Sequence, residues 1–117
     1  MISALQSAVS ALQAYSTKLN ANGNNIANSA TQEYKRTRVT LSDVEPTGVK
    51  ANVSKLETKG PEIYEQTTNG LELIEQSNVD LGREIPEMML NTHFYKANLK
   101  TIETTDELLS SVLDLKA

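Results

Sequence analysis

The side chains that could do chemistry in this chain are few. His93 is the only histidine and there is no cysteine. A metal centre needs several convergent His, Cys or carboxylate ligands. The carboxylates nearest His93 in sequence, Glu84, Glu87 and Glu103, are spaced as solvated charges along one helix. No cysteine means no thiol nucleophile, disulfide framework or zinc-finger cluster. The five glycines, Gly23, Gly48, Gly60, Gly70 and Gly82, are scattered singly, so no phosphate-cradling loop is built. The sequence therefore gives no catalytic, cofactor-binding or metal site, and no enzyme is expected. Acidic pairs such as Asp106-Glu107 read as a solvated helix face.

Composition narrows the class further. With 117 residues, one domain and a modest core are expected. Aromatic residues make up only 4%, so the core must be aliphatic. A net charge of -4 argues against nucleic acid, which selects a basic face that displaces counterions. No apolar run reaches the length of a membrane span, so no membrane insertion is expected. A basic segment followed by an apolar run is missing from the N-terminal residues, so no cleavable signal is expected. The charge distribution is uneven: up to Gln32 the only charged side chain is Lys18.

The elements that must position these residues are two long periodic segments. In the C-terminal one, a 4,3,4,3 spacing picks out Leu81, Ile85, Met88, Thr92, Tyr95, Leu99, Ile102, Asp106, Leu109 and Leu113, which predicts a long helix with a buried seam. Leu108, Val112 and Leu115 widen that stripe, enough to touch more than one neighbouring helix. Asp80 is the expected N-cap. Pro86 removes one backbone hydrogen bond and crowds the Gly82 carbonyl, so either Gly82 relaxes or regular helix begins near Ile85. At about 1.5 Å per residue the helix reaches roughly 50 Å, longer than a compact domain of this size is wide.

From Ile2 to about Ala27 a second heptad series runs through Ile2, Leu5, Val9, Leu12, Ser16, Leu19, Gly23 and Ile26. Its other faces hold alanine, serine and asparagine, including Asn20, Asn22, Asn24, Asn25 and Asn28. Such a helix is marginal alone and takes its order from neighbours, in this chain or in another. Asn28 and Ser29 end it. Thr37 to Val44 and Gly48 to Leu56 read as strands. Ile63 to Thr67 and Leu71 to Glu75 flank Asn69-Gly70, a strong hairpin signal. The expected organisation is one domain over 1–117. Its N-terminal core helix covers 1–28, a turn and small β region 29–76, and a C-terminal core helix 77–117.

Asn24-Asn25-Ile26-Ala27-Asn28, then Thr31 and Tyr34-Lys35-Arg36, closely resemble the N-terminal signature of the bacterial flagellar axial proteins, the rod and hook family. Gly23 and Glu33 depart from it, standing where Ala and Gly are usual. Ser77-Asn78-Val79-Asp80-Leu81, Glu84, Met88, Tyr95, Ala97-Asn98, Lys100, Ile102, Thr104, Asp106-Glu107 and Leu109 resemble the C-terminal part of the same family, most of all its hook and distal-rod members; Pro86 departs. By length the chain is more similar to a proximal rod subunit.

The resemblance implies a mainly α fold with a small β region, its terminal helices forming an antiparallel coiled-coil-like pair. It implies a structural subunit of the basal-body rod, exported to the periplasmic rod by the flagellar type III apparatus. There the subunit polymerises with itself and other rod or hook subunits into a helical tube. On this reading Ile2, Leu5, Val9, Leu12, Leu19 and Ile26 pack against Ile85, Met88, Tyr95, Leu99, Ile102, Leu109 and Leu113. The uncharged outer faces meet neighbouring subunits. Asn24, Asn25, Asn28, Tyr34 and Lys35, with Asn78, Val79, Asp80 and Asn98, serve the exit turn, the second helix and assembly. The alternative from another class is a soluble helical adaptor or secretion chaperone acting as a closed dimer.

Overall fold

A computed structural model describes residues 2–117. The order of elements is α1 (Ile2–Ala27), β1 (Thr37–Asp43), β2 (Val49–Lys55), β3 (Glu62–Thr67), β4 (Gly70–Glu75) and α2 (Leu81–Lys116). The molecule measures 80 × 24 × 20 Å, with a radius of gyration of 20.7 Å. A compact domain of this length has a radius of about 13–14 Å. The excess comes from α2, whose 36 residues span about 54 Å.

Local chemistry sets the element ends. The Asp80 carboxylate accepts the Gly82 N–H at 3.0 Å, and its carbonyl accepts the N–H groups of Arg83 and Glu84. That cap satisfies donors a helix start otherwise leaves open. Helix therefore begins at Leu81 and runs on through Pro86. The alternative start near Ile85 is not what forms. The strands pair only within two separate antiparallel hairpins, β1–β2 and β3–β4. The loop of the second is Thr68-Asn69, with Thr67 opposite Gly70, one residue earlier than the Asn69-Gly70 expectation. Gly70 still supplies the positive φ, at 119°, but as the first residue of β4.

The helices pack antiparallel, Asn22 lying beside Glu84 and Tyr15 stacking on Phe94 at 5.3 Å. Their seam differs from the expected one by a single residue. On α1 the buried positions are Ala8, Ala11, Ala14, Asn22 and Asn25; all but Ala14, which lies beside Val49 and Ala51 of β2, sit one residue before the heptad series read from the leucines. On α2 the buried positions are Glu84, Asn91 and Thr105. Met88, Tyr95, Asn98 and Ile102, half-buried, complete that row.

The large aliphatics flank the seam instead of filling it. Leu5, Leu12, Leu19 and Ile26 are half-buried, while Ile2, Val9, Ile85, Leu99, Leu109 and Leu113 are exposed. The reason lies in side-chain size and in polar pairing. Alanines let two helices approach closely, which a leucine row does not. The buried asparagines and Glu84 are all hydrogen-bonded, so their burial is tolerated.

The β1–β2 hairpin covers another side of α1. Val39 and Leu41 of β1 and Val49 and Ala51 of β2 are half-buried on its inner face. The Val49 N–H donates to Ser10 Oγ at 3.1 Å. Gly48 makes that approach possible: its φ is +118°, and a Cβ there would lie 2.9 Å from Ser10 Oγ. The β3–β4 hairpin packs against neither helix.

Candidate assembly interface

A polar junction fixes where the two helices meet the β region. Asn25, 1% exposed, donates through Nδ2 to the Thr37 carbonyl at 2.8 Å. Its Oδ1 accepts the Thr37 N–H at 2.9 Å and the Tyr34 hydroxyl at 3.1 Å. One asparagine thus pins the start of β1 to the end of α1. Asn28 shapes the turn between them: its Oδ1 accepts the Thr31 hydroxyl and its carbonyl the Thr31 N–H. The Tyr34 N–H then donates to the Thr31 carbonyl. Glu33, just before, takes φ 58°, the left-handed conformation that favours glycine.

Asn78 ties the same loop to the start of α2. Its Oδ1 accepts the Arg36 N–H at 2.6 Å, and its Nδ2 donates to the Leu56 and Thr58 carbonyls. Ser77 is buried, and its hydroxyl accepts the Val79 N–H. Lys35 donates to Glu75 and to the Thr58 carbonyl. The Lys35 ammonium, with the Gly60 N–H, holds the Glu75 carboxyl below the usual carboxylate range.

The centre of the junction is Glu84, fully buried. Arg36 donates to it through Nε and to Glu87 through Nη2. Asn22 Nδ2 donates to Glu84 at 2.8 Å, and Asn22 Oδ1 accepts from Asn91 Nδ2 at 2.8 Å. Removing Arg36 would strand a buried carboxylate, among the costliest single losses a fold can suffer.

Asn22, Arg36, Thr37, Glu75, Glu84 and Asn91 were not singled out as packing residues in the sequence. A usable signal existed for some of them: Asn22 and Asn25 share a heptad row with Ala8 and Ala11. Of the predicted residues, Asn25, Asn28, Tyr34, Lys35, Asn78 and Asp80 come together around this junction. Asn24 and Val79 lie at its edge, Asn24 through its carbonyl, which accepts from Asn28. Asn98 lies further along α2, its Nδ2 donating to the Phe94 carbonyl. Leu99, Leu109 and Leu113 stand on the outer surface of α2, as does His93.

That outer surface is the second part of the candidate interface. From Asp106 onward α2 is exposed at every position. It carries Leu108, Leu109, Val112, Leu113 and Leu115. Further back along the pair, Ile85, Met89, Leu90 and Leu99 are exposed on α2, and Ile2 and Val9 on α1. Large exposed aliphatics in such number make this surface the candidate for protein contact.

Both ends of the chain match known families. Residues 5–35 match the flagella basal body rod protein family. Residues 72–115 match the C-terminal part of the flagellar basal body rod FlgEFG proteins. The chain belongs to the flagellar rod and hook family. It is 35% identical over 66 residues to the flagellar hook protein FlgE of Salmonella typhimurium and, likewise, to that of Escherichia coli K12. Each alignment covers 56% of this chain and 16% of the hook protein, so the chain spans a small part of those relatives.

In this rod and hook chain the two matched segments are α1 with its exit turn, and β4 with α2. Two of the signature residues at the end of α1, Asn25 and Asn28, are among those that build the polar junction. The unmatched part holds both strands of the β1–β2 hairpin and β3. No helix is long and apolar enough to cross a membrane, and no group of three or more His, Cys, Asp or Glu side chains forms a metal site, among the described residues.

Proposed function

We propose that this chain is a structural subunit of the flagellar basal-body rod. It has no catalytic role and needs no cofactor. It is exported by the flagellar type III apparatus and assembles with itself and with other rod or hook subunits into a helical tube in the periplasm. The three segments act as one unit, with the polar junction setting the angle at which the helix pair leaves the β region.

The observation that carries this reading is the aliphatic surface on and beyond the helix pair. Burying one such side chain contributes about 1.5–3 kcal/mol, and the single chain leaves Leu108, Leu109, Val112, Leu113 and Leu115 without that gain. The family match at both ends supports the identity of the partners as axial subunits. Leu5, Val9, Leu12, Leu19 and Ile26 on α1, with Met88, Tyr95, Leu99, Ile102, Leu109 and Leu113 on α2, supply the contacts around and between subunits.

Co-assembly tests the reading. Purified chain mixed with purified neighbouring rod subunits should enter open-ended assemblies seen by sedimentation and electron microscopy. A single closed dimer of fixed mass, indifferent to those subunits, would instead establish the adaptor or chaperone alternative.

A further inference from the structure

The β3–β4 hairpin carries two directly opposed glutamate pairs, Glu62 with Glu75 and Glu65 with Glu72. Like charges opposite one another destabilise a hairpin. The first pair is neutralised, Glu62 by Lys59 and Glu75 by Lys35. The second is not: Glu65 accepts only from the Gln32 amide at 3.0 Å, and neither glutamate has a basic partner among the described residues. Both are exposed, and Ile63 is exposed on the same face of the hairpin.

Elsewhere on the chain the opposite arrangement occurs. Between β1 and the first turns of α2 lies a groove of about 340 Å³, whose lining includes Arg38, Leu56 and Arg83 together with the Arg36–Glu87 ion pair, in which the one carboxylate of the groove is already neutralised. Arg38 and Arg83 are exposed and form no ion pair among the described residues. Leu56, half-buried, gives the groove an apolar component. The hairpin of the same chain packs against neither β1–β2 nor the helices, so it leaves this groove open.

We propose that the β3–β4 hairpin of one copy docks in the Arg38–Arg83 groove of a second copy. Glu65 and Glu72 meet the two arginines there, and Ile63 meets Leu56. The inference rests on the assembly reading above and names a contact within it that the helices do not make. Hairpin and groove are different surfaces of one chain, so the contact repeats head-to-tail and propagates wherever its rotation does not close on itself. Its exposed charges make it sensitive to salt.

Charge exchange tests it with the full chain. Glu65→Arg/Glu72→Arg gives a basic hairpin beside a basic groove, and Arg38→Glu/Arg83→Glu an acidic hairpin beside an acidic groove. Each variant alone should self-associate at least tenfold more weakly than the unaltered chain in low-salt sedimentation. Their equimolar mixture should recover the lost association, because every hairpin again meets an opposite groove. Circular dichroism melts verify that both variants fold. A mixture no better than its components, or self-association indifferent to salt, would overturn the proposal; so would a chain that stays monomeric at all salts. Co-assembly with other rod subunits that persists in both variants and is lost in Leu109→Asp would sink the hairpin contact while leaving the helix-borne assembly standing.

Discussion

Asn25 holds Thr37 by both of its backbone groups, donating to the carbonyl at 2.8 Å and accepting from the N–H at 2.9 Å. A side-chain amide here does what a neighbouring strand would do for β1, on the side facing α1. Because the Tyr34 hydroxyl donates to the same Oδ1, the helix end, the loop and the strand share one anchor.

Asn25→Ala should therefore be costly out of proportion to its size. It leaves the half-buried Thr37 groups and the Tyr34 hydroxyl without partners, a loss of about 2–4 kcal/mol. Urea unfolding followed by circular dichroism measures it. A change below about half a kilocalorie, the level of an ordinary surface substitution, would show that the anchor is not needed.

Glu33 stands in the left-handed region at φ 58°, where the family signature has glycine. A non-glycine residue there costs about 1–2 kcal/mol, and glycine gives back about 0.5–1 kcal/mol through its freer unfolded state. Glu33→Gly should raise stability by about 0.5–1 kcal/mol. A thermal melt showing a lower midpoint would mean that the glutamate makes a compensating contact.

The element order and the approximate ends were legible in the sequence because their causes are local; the hairpin turn lies one residue from its expected place, and the start of α2 was open until the Asp80 cap settled it. Asp80 caps α2 from one residue away, and Thr68-Asn69-Gly70 turns the hairpin within four residues. The seam was not legible, because its choice depends on distant partners. Glu84 reads as a solvated charge until Arg36, 48 residues before it, is placed between the helices. Periodicity found the right repeat on both helices. Assigning the leucines to the inside then rotated the seam by one position. The free standing of β3–β4 had no sequence signal either, since its alternation of apolar and charged residues fits a packed hairpin equally well.

Ala11→Leu distinguishes the two seams. If the alanines are inside, an added isobutyl group forces the helices apart and costs about 1–3 kcal/mol. Were the leucine row inside, Ala11 would lie on the outer face and the change would be within about 0.5 kcal/mol. Chemical unfolding of the purified chain reads the difference.

Acid should loosen the root of β3–β4. The Lys35 ammonium and then the Gly60 N–H lower the folded pKa of Glu75. A carboxyl depressed in the folded state contributes stability above its unfolded pKa, and that contribution is lost as pH falls through the folded value. The loss thus begins at the ordinary carboxylate pKa and is complete below the lowered folded one. The Gly60 N–H donates to Glu75 Oε1 at 2.9 Å, so its amide resonance should report the titration. Its midpoint should move upward in Lys35→Ala and vanish in Glu75→Gln. An unmoved midpoint in Lys35→Ala would remove lysine as the cause.

Leu109→Asp separates folding from assembly. In the isolated chain Leu109 is 37% exposed and lies beyond Thr105, the last buried residue of α2. A carboxylate there remains in water, so stability should change by no more than about 0.5 kcal/mol. In an assembly that covers this face the same carboxylate is desolvated without a partner, a penalty of several kcal/mol. The variant should thus melt like the unaltered chain yet fail to enter assemblies with other rod subunits. His93→Ala, also a change at the surface, should leave both properties intact. Should Leu109→Asp assemble normally, the exposed aliphatic row beyond Thr105 would not be the surface through which this chain meets its neighbours.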